Sequence, residues 1–279
     1  MRIGQFLAAF DRTLPLSLAL DGDPVGLQVC AEDAELSGVA VAYELDVAAV
    51  ARAAEAGANL IIAFHPLIYA PLRYVGGDGR VERTVIELID RRIALYVVHT
   101  AFDAHPRGTS ALLGEAIGLR AIEPIVPDPS FDGGGFGAVG NLSQPLALGE
   151  LAERVRAACG AAVVRVAGRD KGALEREVSR VAIVGGSGMS YYDAAVASGA
   201  EAFISADVRY HAFHAAIDRI PVLDPGHAES EAYVVDGIAD LVRRCIETLG
   251  LPLAVIPLVE STNPVHYIVN TNRPSPTGD

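Results

Sequence analysis

Apolar and polar positions along this chain follow two rhythms that take turns. Short β-rich runs fall at residues 39–45, 59–64 and 93–98, and again at 162–166, 181–184 and 202–205. Between them, apolar residues recur three and four apart, the spacing of one helix face. Helices are expected at 3–10, 47–56, 80–92, 148–159, 191–198 and 229–249, and a last strand at 265–269. In the stretch 80–92, Val81, Val85, Leu88 and Ile89 make up the apolar stripe. Gly57 and Gly199 each stop the helix before them. Strands alternating with helices predict an α/β fold.

The pattern repeats. Displacing the chain by 142 residues lays Val39 on Val181, Gly57 on Gly199, Ala58 on Ala200 and Ile62 on Ile204 without a gap, and His65 then falls on Asp207. Each half runs on into another short strand, from Ile93 or from Ile220. That strand ends in a histidine followed four residues later by an acid, His99/Asp103 in one half and His227/Glu231 in the other. A matched strand, helix, stop and strand implies two related α/β domains. The Pro/Asp-rich stretch 124–132 and the glycine run 133–135 put the boundary near residue 126, giving 1–126 and 127–279. The segment from about residue 229 is expected to pack back on the first domain.

Composition removes several function classes. A chain of 279 residues with 51% hydrophobic side chains buries a sizeable core and is not disordered. Apolar runs such as 60–64 and 95–98 are far too short to span a bilayer. Asp11 and Arg12 interrupt the first apolar stretch, so no signal peptide is expected. A net charge of −13 with no Lys/Arg cluster argues against nucleic acid, although a local pocket for one anionic nucleotide is compatible with it. The only lysine, Lys171, lies in the polar stretch 168–172 and reads as a surface charge. The cysteines, Cys30, Cys159 and Cys245, are odd in number and lack a C-x-x-C pair. That pattern fits neither a disulfide framework nor a zinc ribbon and points to the cytoplasm. Cys159 and Cys245 fall in helical stretches, as small core residues.

Reactive side chains collect where strands end, the place where open α/β sheets bind ligands. His65 follows the run 60–64, His99 and Asp103 follow 93–98, and His227 and Glu231 follow 221–224. Imidazole with carboxylate, and no thiolate, suits Zn, Mn, Fe or Co. The competing reading for each is a hydrogen-bonded histidine of core or loop. His211 and His214 share a helix face, His105 sits in a polar loop and His266 in the expected last strand. The turn Gly185-Gly186-Ser187-Gly188, between a strand and a helix, is a candidate to hold a substrate phosphate on its amides. It lacks the G-x-G-x-x-G spacing, and a tight β–α turn is the alternative.

Six ordered stretches resemble one family. They are Asp23-Pro24-Val25-Gly26-Leu27-Gln28-Val29, His65-Pro66-Leu67-Ile68-Tyr69, His99-Thr100-Ala101-Phe102-Asp103, Val184-Gly185-Gly186-Ser187-Gly188, Asp207-Val208-Arg209-Tyr210-His211 and Gly226-His227-Ala228-Glu229-Ser230-Glu231. Over nearly the whole chain they are similar to the Nif-three-like family, also called GTP cyclohydrolase I type 2 homologs or dinuclear-metal-centre hexameric proteins. The resemblance implies two α/β domains with a divalent metal pair in the cleft between them, and a homohexamer. No inserted middle domain is expected, because 136–142 runs quickly into the next helix. Carried over residue by residue, His65, Asp103 and Glu231 hold one metal, and His227 with Glu231 the other. Phe64 stands where the second metal's remaining histidine is usual. Phenylalanine has no lone pair, so one strong and one weak or missing position is expected, unless water or a neighbour such as His99 substitutes. His99 and His211 are the candidates for moving protons. The leading expectation is a metal-dependent hydrolase of a nucleotide or small heterocycle. A non-catalytic metal carrier or scaffold is the alternative, and an oxidoreductase built on the glycine turn ranks last.

Overall fold

The computed structural model describes residues 1–268 except Cys30 and Glu32. Cys30, residue 269 of the expected last strand and the side chain of Lys171 lie outside the described residues. In chain order the first part carries α1 (Ile3–Phe10), β1 (Gly26–Val29), β2 (Val39–Ala42), α2 (Val47–Glu55), β3 (Leu60–Ala63), α3 (Arg80–Asp90), β4 (Ala94–Val97), α4 (His99–Asp103) and α5 (Thr109–Ala116). Next come β5 (Arg120–Glu123), β6 (Val126–Pro127), β7 (Gly135–Phe136), β8 (Ala138–Ala147), α6 (Leu148–Cys159), β9 (Arg165–Val166) and β10 (Glu177–Ile183). The last part holds α7 (Tyr192–Ala197), β11 (Ala202–Ile204), α8 (Tyr210–Ala216), β12 (Val222–Asp224), α9 (His227–Ser230), α10 (Val234–Thr248) and β13 (Val255–Leu258).

The strands form two main sheets, as the α/β pattern predicts. One runs β1-β4-β3-β2-β13, the other β5-β8-β10-β11-β12-β9. β13, β2, β3 and β4 are parallel, with β1 antiparallel at the edge. In the second sheet β10, β11 and β12 are parallel and the outer strands antiparallel. Val39 pairs with Leu60 in one sheet and Val181 with Ala202 in the other, so the 142-residue offset seen in the sequence also relates the strand registers.

Each sheet is covered on both faces, because successive side chains of a strand point to opposite sides. Val39, Val41, Leu60, Ile62 and Phe64 join α1 and α10 in one core. Ala40, Ala42, Ile61 and Ala63 join α2 and α3 in another. The second sheet divides in the same way, with Val181 and Ile183 facing α6 and Ala182 and Phe203 facing α7 and α8. Cys159 and Cys245 are buried helix residues, as expected.

Three expected elements differ. The strand at 162–166 shrinks to β9, which pairs with β12 at only two positions. The helix at 229–249 is two helices, because the chain turns between Ser230 and Val234, where Glu231 leaves helical geometry (φ −111°, ψ 16°). Residues 261–268 form no strand; residues 262–265 line a cavity instead of joining a sheet edge. Among the described residues no helix is long and apolar enough to cross a membrane.

Candidate metal centre

Every parallel strand of both sheets delivers its carboxyl end to the same region. β2 runs into Tyr43 and Glu44, β3 into Phe64 and His65, and β4 into His99 at the start of α4. From the other sheet, β11 leads to Asp207 and β12 to His227 on α9, with Glu231 just beyond. Asp23 precedes β1, whose antiparallel direction brings its start to the same end.

One ligand atom from each of His65, His227 and Glu231 lies within 4.8 Å of the other two. Glu231 is 5% exposed, and its Oε2 sits 3.6 Å from His65 Nε2 and 3.3 Å from His227 Nε2. The Tyr43 hydroxyl donates to the same oxygen at 2.7 Å. Both imidazoles are backed by carboxylates. His227 Nδ1 lies 2.7 Å from Asp207 Oδ2. His65 Nδ1, buried, faces Glu44 Oε1 at 3.2 Å without the alignment of a hydrogen bond. Carboxylate–imidazole pairs of this kind set ring orientation and turn the second nitrogen toward a metal. Two nitrogens and a carboxylate oxygen at this spacing fit a divalent first-row cation.

The electrostatics agree. Pairing with Glu231, supported by Asp207 and opposed by burial, pushes His227 up to about 9. Burial and then the charge of Glu231 push Asp103 up to about 8. Burial, then Glu231, holds the Tyr43 hydroxyl protonated far above its ordinary range. Glu231 and Asp103 thus lie close enough for the charge of one to be felt at the other, beside a group of three residues that could hold one metal ion.

The remaining expected residues are placed as follows. Asp103 lies outside the group of three and accepts from Thr109 Oγ1 at 2.5 Å. His99 stands beside His65, ring centroids 5.4 Å apart, with Nδ1 on Asp23. His211 is exposed on α8 against Tyr210, outside the cluster; His214 and His266 are exposed as well. Phe64 is fully buried, its ring among Tyr43, Phe102 and His65. In the glycine turn the amides of Gly185, Gly186 and Gly188 already donate to Ser110, Ser230 and Ser205. Three of the turn's four amides are thus engaged within the protein. Gly186 (φ +64°) lets Glu231 approach, since a Cβ there would meet Glu231 Oε1 at 2.3 Å.

Sequence reasoning assigned no role to Tyr43 or Glu44, which carried no signal beyond standing at a strand end. Asp23 and Asp207 lay inside the quoted stretches without a role; the offset that maps His65 onto Asp207 was the available signal. Two cavities flank the cluster. One, about 500 Å³, is lined by Tyr43, Asp207, His227 and Asn263, the other, about 610 Å³, by His99, Pro66 and Leu72. Both are bounded by Glu44, His65 and Arg80.

Comparison with known proteins gives a consistent result. The family model described as Duf34/NIF3 (NGG1p interacting factor 3) matches residues 1–264. A Streptococcus pneumoniae protein named GTP cyclohydrolase 1 type 2 homolog is 32% identical over 269 residues, covering 96% of this chain and 100% of the relative. A Streptomyces coelicolor protein of the same name is 36% identical over 236 residues, covering 82% and 81%. Among solved structures, a Staphylococcus aureus protein superposes with a TM-score of 0.89 at 25% identity, covering 96% of this chain and 99% of that one. A Bacillus cereus protein related to NIF3 gives 0.88 at 23% identity with the same coverage.

Proposed function

Because the chain belongs to the Duf34/NIF3 family, we propose that it is a metal-dependent hydrolase acting on a small polar heterocycle, free or within a nucleotide, with its centre at His65, His227 and Glu231. The observation that carries this reading is the convergence of those three side chains, of which His65 and His227 line a cavity of about 500 Å³. Three protein ligands leave a coordination position open, as catalytic sites do and structural ones do not. A divalent cation held there supplies Lewis acidity toward a substrate and toward water.

The surrounding residues have separable tasks. Asp207 orients the His227 imidazole by hydrogen bond, and Glu44 places its carboxylate beside that of His65. Tyr43 fixes Glu231 by donating to it, and its own proton stays in place. Arg80, tied to Glu44 Oε2 at 3.0 Å and to the Leu45 carbonyl, forms the wall shared by both cavities. The cavity of about 500 Å³ is lined by Glu44, Asp46 and Asp207 as well as Arg80, and the glycine turn has little amide capacity left. These features favour recognition of the heterocycle over recognition of phosphate. The printed names of the relatives put GTP first on the list to assay.

The test loads the protein in turn with Zn, Mn, Fe and Co and assays GTP, other nucleotides and cyclic amides. Turnover that depends on metal and disappears in Glu231→Gln supports the reading. Turnover that survives Glu231→Gln is contamination, and absence of metal-dependent turnover throughout would assign the chain a non-catalytic metal-binding role.

A further inference from the structure

The cavity of about 500 Å³ has one wall that belongs to neither sheet. Residues 262–265 line it together with Tyr43, Asp207 and His227. This segment leaves β13, the neighbour of β2 in the first sheet, and reaches α9, which follows β12 of the second. It therefore crosses between the sheets at the end where their parallel strands deliver the site.

The segment is held by few groups. Among the described residues no backbone–backbone hydrogen bond ties 259–268 to the rest of the chain. On the side of the first sheet, Glu260 Oε2 lies 3.1 Å from Arg52 Nε of α2, without the alignment of a hydrogen bond. On the other side, Asn263 Nδ2 donates to Glu229 Oε1 at 3.2 Å. The Tyr267 hydroxyl rests over Gly226, where a Cβ would meet it at 2.6 Å. Asn263 is built for this contact, because its Oδ1 accepts from the Val265 amide at 3.0 Å and so turns Nδ2 outward. Glu229 stands between His227 and Glu231 in sequence, so the tie is made to the stretch that carries two of the three clustered side chains. Thr262 Oγ1 is buried without a hydrogen-bond partner. A hydroxyl held in that way disfavours the seated position and regains water when the segment lifts. Segments with so few hydrogen bonds are the first parts of a fold to open.

We propose that residues 259–268 form a lid over the metal cavity, latched by the hydrogen bond from Asn263 to Glu229, and that substrate enters and leaves when this latch opens. A closed lid keeps bulk water from the reaction, and its opening sets the rate of exchange. Asn263 is a positioning residue, acting through the seat of the lid. The proposal rests on the metal reading of the cluster for what the lid encloses, and the experiment reads the two separately.

Full-length wild type is compared with Asn263→Ala and with the swapped pair Asn263→Asp/Glu229→Gln, which reverses donor and acceptor at unchanged net charge. Access to the cavity is read in metal-free protein as the rate at which diethyl pyrocarbonate modifies His227, located by mass spectrometry. Exit is read in Zn²⁺-loaded protein as the rate of release to an excess of chelating dye. Loss of a hydrogen bond to a carboxylate is expected to raise both rates about tenfold in Asn263→Ala. The swapped pair is expected to return both toward wild type, which a merely structural role of Asn263 would not produce. A rate of either kind that stays at the wild-type value in Asn263→Ala, or a swapped pair that behaves like Asn263→Ala, overturns the lid. Failure of the wild type to retain Zn²⁺ overturns the metal reading, and the modification rates at His227 then decide the lid alone.

Discussion

A carboxylate behind an imidazole decides which nitrogen faces forward, and Asp207 does this for His227 from a partly exposed, left-handed position (φ +55°). Asparagine tolerates that backbone, so Asp207→Asn tests the charge without disturbing the fold. Metal affinity at the cluster is expected to fall about 10–100-fold, read by competition with a chelating dye; an unchanged affinity would show that Asp207 is idle. His105 makes a different prediction. Its Nδ1 accepts from the Arg107 amide, and burial, with help from Arg107 and Arg244 and against the Thr13 backbone, lowers it to about 4. The unfolded chain binds this proton near 6.5 and the folded one near 4, so stability from this group is complete above 6.5 and lost as pH falls toward 4. Replacing His105 by Gln should shrink the loss between pH 7 and 4 by about 2 kcal/mol in paired urea titrations; parallel curves would refute it. The histidines of the site were legible because each ends an apolar strand. Tyr43, Glu44 and Asp23 were not, because a backing group is selected by three-dimensional proximity, which leaves no periodicity.

Elements explain where periodicity misled. The stretch 229–249 has unbroken helical spacing, yet the chain turns after Ser230 so that Glu231 points inward to His65 and His227. Local propensity favoured one helix, and the tertiary demand on a single carboxylate overrode it. In the glycine turn after β10, three amides are held by Ser110, Ser230 and Ser205, and the bare Cα of Gly186 makes room for Glu231. Gly186→Ala should therefore act at the metal centre, several elements away in sequence. We expect a strained turn, a displaced Glu231 and metal binding weakened about tenfold or more. Calorimetric titration with Zn²⁺ beside the wild type checks this, and equal affinity would mean that Glu231 does not depend on the turn.

At the scale of the whole molecule, the α/β class and the 142-residue offset were legible, since both follow from strand and helix spacing. The segment from about residue 229 was expected to pack back on the first domain, but the pairing of β13 with β2 was not legible, because a four-residue apolar strand carries no mark of which strand it joins. The outer surface carries its own prediction. Tyr69 and Tyr74, 73% and 64% exposed, stand with Val75 on the loop between β3 and α3, and such patches mark contact surfaces. We expect a homo-oligomer, with six copies of the 29.2 kDa chain as the leading stoichiometry. Light scattering at micromolar concentration decides it, and a stable mass of a single chain would reject it.

The late arrival of β13 also bears on how the protein is made. Strand β2 is complete at Ala42, but its neighbour on one side is not synthesised until Val255–Leu258. A ribosome adding about 5–20 residues per second leaves that edge without its partner for roughly 10–40 s. During that interval α10, which covers the same core, is also unmade. The first sheet to emerge is thus the last to be finished, and the nascent chain passes through a state with an open parallel edge and an uncovered apolar face. Conditions that slow elongation, or a nonsense codon before residue 255, should send this protein to chaperones or into aggregates rather than yield a stable fragment of its first half.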